Sequence, residues 1–433
     1  MPLPRRRGLR TGGQLPCGCL DTKGNRPPMR ATTLLGKLLG LKKTRILGAT
    51  FDDLGLVVDV TPSTQVPYCS CCGRRVAAVR DRYAGRRWRH LDLAALRVWL
   101  RYTMRRVDCP RCGVVVELVP WAETRSWFTY DFEEQVAYLA QRADKTTLST
   151  LMRISWKTVG AIIERVLPRH QSADPLDGLT HIGIDELSYR RHHEYVTVIV
   201  DHVRGGVVWA HPGKNAETLN TFFKELGKER CARLEAVTLD MSAAYLRAVT
   251  EASPQARVIF DRFHVQRLAH DALDEVRREQ VREADPEDRA ALKRTRFALH
   301  KNPWNLSALE TAKVAEVQKA NRPLYRAYLL KETLATILDG HQVHVARRKL
   351  HEWVDWAARS RLRPFCRLAR TVRGHLDGIL AYVATGLSNG RTEGLNGKIR
   401  AITRRSFGFH SAQSLISLIS LCCSGITLRP VHR

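Results

Sequence analysis

The feature that most constrains this 433-residue chain is a change of apolar period near Thr180. From there HIGIDELSY, EYVTVIVDHV and GVVWAHP alternate in the manner of strands, with a turn signal at 204–206 between the second and third. A block at helical spacing (217–226) follows, then LEAVTLD ending at Asp240, a short helix over 243–249, and ARVIFD ending at Asp261. Three strands in meander followed by alternating helix and strand describe a mixed sheet with helices on its faces.

That order is the one expected of an RNase H-like domain, an α/β fold, here over residues 175–265. Residues 266–385 read as charged helices, with pairs such as Asp274 and Arg278 at four-residue spacing. Residues 386–433 open on the turn-rich GLSNGRTEGLNGK and continue as an amphipathic helical stretch. In front, residues 1–30 form a basic tail without periodicity, a short helix is expected over 30–40, and Phe51 to Val60 read as one strand. A module dense in Cys and Arg fills the rest of 31–125. Residues 126–170 hold three short helical blocks joined by tight turns, which fits a helix-turn-helix. Asp131 with Glu134 is the expected first cap and Ser155 the last.

Charge narrows the partners. Lys plus Arg number 71 against 43 Asp plus Glu, a formal net of +28. Residues 1–130 carry 24 basic against nine acidic side chains, and 361–433 carry 12 against two. A surplus of that size calls for a polyanion, with nucleic acid first. With 44% hydrophobic residues and nine Trp the chain can build cores, which excludes a disordered polyelectrolyte. The apolar stretch around 414–428 is broken by Ser and Gly and falls short of the ~20 residues of a membrane span. No apolar leader precedes a cleavage site, so a reducing cytoplasm is the expected setting, and the eleven Cys point to metal or free thiols.

Two constellations carry chemistry. Cys69-Ser-Cys71-Cys72-Gly73 and Cys109-Pro-Arg-Cys112-Gly113 are two CxxC knuckles, each followed by a Gly that permits the turn, and together they suit one structural zinc through Cys69, Cys72, Cys109 and Cys112. Cys71 is ambiguous because it can replace either neighbour. The 36 residues between the knuckles are expected to form the body of the finger. The second constellation is Asp185 within IGIDE and Asp240 closing LEAVTLD. Two acids on neighbouring strands suit hard divalent cations, Mg or Mn, with Asp201, Asp261 or Glu393 as the third acid.

GIDE at Asp185, TLDMSAAY at Asp240, FDRFHV from Phe260 and SNGRTEGLNGKIRAITRRSFGF from Ser388 together resemble the DDE transposases of the ISL-three family of bacterial insertion sequences. The resemblance covers most of the chain and implies a triad of Asp185, Asp240 and Glu393. Asp240 lies 55 positions after Asp185, and Glu393 lies 153 further on, a gap that the family fills with a helical insertion. It also implies supporting roles for Asp261 and His264, two Mg (or Mn) ions per active site, and cleavage and strand transfer of double-stranded DNA.

Terminal inverted repeats would be read by the 156–167 helix, with Lys157, in the major groove. Arg74, Arg75, Arg86, Arg87 and Arg89 would sit mostly on phosphates, and Lys398, Arg400, Arg404 and Arg405 would grip DNA near the cut. Trp88 and Trp99 are expected to pack the finger's core rather than stack on bases. Pairing two ends requires at least a dimer. The alternatives are a non-catalytic zinc-dependent DNA-binding regulator, which leaves the acids without purpose, and a structure-selective nuclease of the RNase H-like superfamily.

Overall fold

The computed structural model describes residues 29–82, 85–171, 174–190, 194–286, 289, 292–387, 390–406, 409 and 411–431, without the side chains of 190 and 391–393. The basic tail up to residue 28, the Ser388–Asn389 part of the turn and the Glu393 carboxylate fall outside this description. The chain divides into two compact units, 1–135 with 430–433, and 136–429.

In the first unit the expected single strand at Phe51 is a hairpin, β1 (Thr44–Asp52) and β2 (Gly55–Pro62), behind helix α1 (Ala31–Leu39). Asp52 accepts from the Leu54 amide at 2.9 Å, so the paired aspartates make the turn that the alternating pattern concealed. β1 and β2 continue into β5 (Leu96–Tyr102) and β4 (Arg86–Leu93), in the order β1-β2-β5-β4. Trp88, Leu100 and Met104 are buried beneath this sheet, and Trp121 meets Trp88 edge-on at 5.6 Å. A separate sheet of β3 (Val79–Arg82), β6 (Arg105–Cys109) and β7 (Gly113–Val116) carries the cysteines. The 36-residue spacer is therefore not one finger body, since β4 and β5 join the other sheet.

Helices α2 (Tyr130–Ala140), α3 (Lys145–Met152) and α4 (Trp156–His170) follow, the division between units falling within α2. Ser155 caps α4 as expected, accepting from Thr158 N at 3.3 Å, and Asp144 caps α3. The first cap differs: Thr129 Oγ1 accepts from Phe132 N at 3.3 Å, and Asp131 lies inside the first turn. An acid there still opposes the helix dipole.

The second unit is organised on the mixed sheet β10-β9-β8-β11-β12. β8 (His181–Arg190), β9 (Glu194–Asp201) and β10 (Gly206–Pro212) form the antiparallel meander, and β11 (Ala236–Leu239) and β12 (Arg257–Phe260) run parallel to β8. Helices α5 (Ala216–Leu226), α6 (Lys228–Cys231) and α7 (Ala243–Ala252) supply the crossovers.

The expected helical region begins with α8 (Arg262–Glu283) directly off β12. It continues through α9 (Arg296–His300), α10 (Ala308–Ala320), α11 (Arg322–Leu338), α12 (Val343–Arg359), α13 (Arg363–Gly374) and α14 (Leu376–Thr385). These helices share one core with the sheet, in which Phe260, Leu330, Trp353 and Phe365 belong to the same buried cluster as Ile184 and Leu239. Gly378 permits the closest approach, because a Cβ there would meet the Phe260 ring at 2.4 Å. Helix α15 (Gly390–Arg405) crosses β8, and α16 (Ala412–Cys423) packs on both β10 and α4. Gln141 Nε2 ties down the chain after α16 through Leu421 O at 2.8 Å and Ile426 O at 2.9 Å. No helix among the described residues is long and apolar enough to cross a membrane.

Candidate functional site

The four cysteines of the two knuckles converge. The sulfurs of Cys69, Cys72, Cys109 and Cys112 all lie within 4.8 Å of one another, the one group of three or more His, Cys, Asp or Glu placed to hold a metal among the described residues. Gly73 and Gly113 have φ of +68° and +69°, the left-handed conformation that closes each knuckle. The Cys71 amide donates to Cys69 Sγ at 3.4 Å, while its own thiol is exposed and stands outside the group of four. Backbone donation from Arg111 brings the Cys109 thiol down to about 7, whereas hydrogen bonding to Cys72 pushes Cys112 up. Sharing of protons among crowded thiols is what a soft cation displaces, and a tetrahedral sulfur set fits zinc.

The ribbon is clamped at its base by Glu117, fully buried, which bridges to Cys69 through the backbone. Its carboxylate accepts from Arg105 Nε at 2.9 Å, Arg105 N at 2.7 Å and Tyr102 Oη at 2.9 Å. Burial and this neighbour push the Tyr102 hydroxyl up to about 12. Glu117 carried no motif signal, so sequence reasoning missed it.

At the centre of the sheet, Asp185 sits on β8 and Asp240 immediately follows β11. Leu239 pairs with Phe260, so Asp240 and Asp261 leave adjacent strands at the same end. Asp185 Oδ1 accepts from Glu186 N at 2.7 Å, and the Asn396 side-chain amide of α15 donates to Oδ2. Ser242 N donates to Asp240 at 3.0 Å. Burial, and then the charge of Asp240, push the Asp185 carboxyl up, against the pull of the Glu186 amide, His264 and Asn396. A buried carboxyl whose charged form is disfavoured, beside a second acid, is a setting that a divalent cation would relieve. Glu393 lies three positions before Asn396 on α15.

Asp261 is completely buried before the first turn of α8, and His264 is close enough for its charge to act on Asp185. Asp201 takes another role: it pairs opposite Ile182, away from Asp185, and holds the turn through Val203 N at 2.7 Å and Arg204. Three neighbours went unnoticed although all lie inside the quoted motifs. They are Asn396, Glu186 and Tyr245. Burial raises Glu186, Tyr245 hydrogen-bonds to it, and the Tyr245 hydroxyl also meets Thr197 Oγ1 at 3.1 Å.

The arginines divide. Arg74, Arg75, Lys157, Lys398, Arg400 and Arg404 are exposed. Lys398 also reaches Cys422 O. Arg87 is shared with Asp52 at 2.8 Å. Arg86 and Arg89 are corrections to the phosphate surface: Arg86 donates to Thr124 O at 3.0 Å and Ser126 O at 2.7 Å, and Arg89 is 3% exposed and paired with Asp92. Arg405 is likewise engaged by the Ala140 carbonyl at 2.9 Å. In each case strand or helix geometry turned the side chain onto protein carbonyls or acids. Trp88 is buried, but in the core of the four-stranded sheet rather than of the cysteine-bearing finger, and Trp99 is half-buried with its Nε1 donating to Leu54 O at 3.1 Å.

Comparisons with known proteins agree with this architecture. Residues 182–419 match a family described as transposase, residues 117–167 the helix-turn-helix domain of transposase family ISL3, and residues 65–112 the zinc-finger of transposases IS204/IS1001/IS1096/IS1165. The transposase for insertion sequence element IS1557 of Mycobacterium tuberculosis is 40% identical over 432 residues, spanning 92% of this chain and 96% of the relative. The transposase for IS1001 of Bordetella parapertussis is 28% identical over 362 residues, spanning 83% and 89%. With a zinc-ribbon match over the cysteine cluster, a helix-turn-helix, and a transposase match over the sheet that carries Asp185 and Asp240, this chain belongs to the ISL3 family of transposases.

Proposed function

We propose that the chain binds the terminal inverted repeats of an insertion sequence and cuts and rejoins DNA with Asp185, Asp240 and Glu393 as its acid triad. The observation that carries this is the bridge from Asn396 to Asp185. It brings α15, and with it the backbone of Glu393, to the strand whose carboxylate already feels Asp240. The three carboxylates would hold divalent cations, magnesium or manganese. Bound there, such ions supply an acidified water or 3′ hydroxyl and neutralise charge on the departing oxygen.

The protein's own groups set the geometry. The Glu186 amide and Asn396 hold the two oxygens of Asp185, and the Ser242 amide fixes Asp240. In cleavage, water attacks a phosphodiester, the bond from phosphorus to the 3′ oxygen breaks, and that oxygen leaves as a hydroxyl. In strand transfer the freed 3′ hydroxyl attacks a target phosphodiester and expels the target's 3′ oxygen in turn. Both are in-line displacements without a covalent enzyme intermediate, so positioning and electrostatics carry the rate. End recognition falls to α4, with Lys157 exposed near its start, and to Arg74 and Arg75 beside the first knuckle.

The test is divalent-metal-dependent nicking of plasmid carrying the element's ends. Asp185→Ala, Asp240→Ala and Glu393→Gln are each expected to lose about 10³-fold or more of activity while end-binding survives. Full activity in any of the three removes that residue from the triad.

A further inference from the structure

Charge within the helical region is segregated. Residues 271–288, in and just after α8, carry eight acids against three arginines, whereas residues 343–374, covering α12 and α13, carry nine basic side chains against two acids. On α13 the exposed arginines 363, 367, 370 and 373 recur every three or four positions and form one stripe, opposite a face buried through Phe365, Leu368 and Val372. Beside this stripe lies a cavity of about 550 Å³ whose walls include Arg257 of the edge strand β12, Arg347 of α12 and Arg373 of α13, with Phe260 and His375 at one side. Arg347 and Arg373 have only exposed partners, Asp377 at 3.7 Å and Asp355 at 3.1 Å, and such pairs cost little to exchange.

One wall of the cavity is the strand that leads to Asp261. Phe260 lines it, Asp261 is the next residue, and Asp240 leaves the neighbouring strand at the same level. Guanidinium groups are matched to phosphate oxygens by planar, forked donors, and a row of them along one face suits a polyanion.

We infer that the α12–α13 face, with Arg257, Arg347, Arg370 and Arg373, is a second binding surface for duplex DNA, held through its phosphates and separate from the helix-turn-helix and the zinc ribbon. It carries no base-reading element, so it binds irrespective of sequence. The duplex it holds is either DNA flanking the element or target DNA, two sources of one chemistry.

The test needs no assumption about the acid triad. Binding of the full-length protein to a random-sequence duplex of about 40 base pairs is measured across a range of potassium chloride concentrations, for the wild type and for Arg347→Gln/Arg370→Gln/Arg373→Gln. Each lost phosphate contact flattens the slope of log affinity on log salt by about 0.9, so a decrease of about 3 is expected. The corresponding Arg→Lys triple variant keeps the slope. A charge-matched control, Arg278→Gln/Arg282→Gln/Arg289→Gln on and after α8, also leaves it unchanged. An unchanged slope in the first variant, or equal flattening in the control, overturns the inference.

The sources are then separated on DNA carrying the element's ends. If the groove holds flanking DNA, the Gln variant loses the extra affinity conferred by outer duplex. If it holds target, that affinity is kept and joining of precut ends to plasmid falls instead. Loss of neither refutes a role for the groove in the reaction.

Discussion

The cysteine cluster and the carboxylate pocket solve the same problem, the gathering of ligands, by opposite routes. The cluster takes its four sulfurs from two tight knuckles in one small sheet, and the sulfurs stand together with local backbone donors on them. The pocket draws Asp185 and Asp240 from separate strands and depends on α15, more than 150 positions later, to complete it. A local site gains its order from the metal, whereas a distant one must be held by the fold before any ligand arrives. Mutation therefore affects the first through stability and the second through rate.

The largest effect is expected at the cluster. Cys69→Ser or Cys112→Ser removes a ligand, and since metal affinity in such ribbons is folding free energy, on the order of 10 kcal/mol is at stake. Elemental analysis should fall from one zinc per chain to none, with loss of end-binding. Cys71→Ser leaves both unchanged. Zinc retained in Cys112→Ser would break the contrast by showing a replaceable ligand set.

Next is the clamp beneath the ribbon. Glu117→Gln removes the buried partner of the half-buried Arg105, and breaking a buried pair costs up to about 3–5 kcal/mol. Asp81→Asn, which removes the exposed partner of Arg106, should move the midpoint far less. Denaturant midpoints at constant slope separate the two. Equal losses would show that burial does not set the energetics of the first unit.

At the carboxylate pocket, Asn396→Ala should lower nicking about 10- to 100-fold, the range for a group that orients a ligand, while the melting temperature hardly moves. If stability falls and rate does not, Asn396 is structural and the bridge to α15 is not part of the chemistry.

These differences also explain what could be read from the chain. Knuckle spacing is a local signal, so the four cysteines were legible at once. The strand meander and its crossovers were legible because the apolar period changes with the element. The candidate carboxylates were only half legible: an acid inside one apolar strand and an acid closing another marked Asp185 and Asp240, but nothing local distinguishes Glu393 from Asp261, and only the family resemblance chose. Asn396 lay unnoticed in a quoted motif because its role depends on a contact across 211 positions. Arg86 and Arg89 were misread because composition counts charges without showing their partners. The hairpin at Asp52 was hidden by a turn whose flanking residues keep the strand alternation.

Lys145 offers the smallest and most specific test, since it is a buried cation with no ion-pair partner among the described residues. Its ammonium, on a residue 8% exposed, lies 4.2 Å from the ring centroids of both Trp156 and Phe409. Burial lowers its pKa to about 8. Aromatic faces attract the cation but return less than the hydration it gave up. Below pH 8 the group is charged in folded and unfolded chains alike, and the cost of burying it is constant. Between about pH 8 and the ordinary value of 10.5 the folded form has released its proton and the unfolded form has not. Stability therefore rises with pH across that window. In Lys145→Met that rise should vanish, so the difference in melting temperature between variant and wild type narrows as pH goes from 7 to 10. A constant difference would mean that the rings, unlike the solvent-starved carboxylates, hold their charge without strain on its protonation.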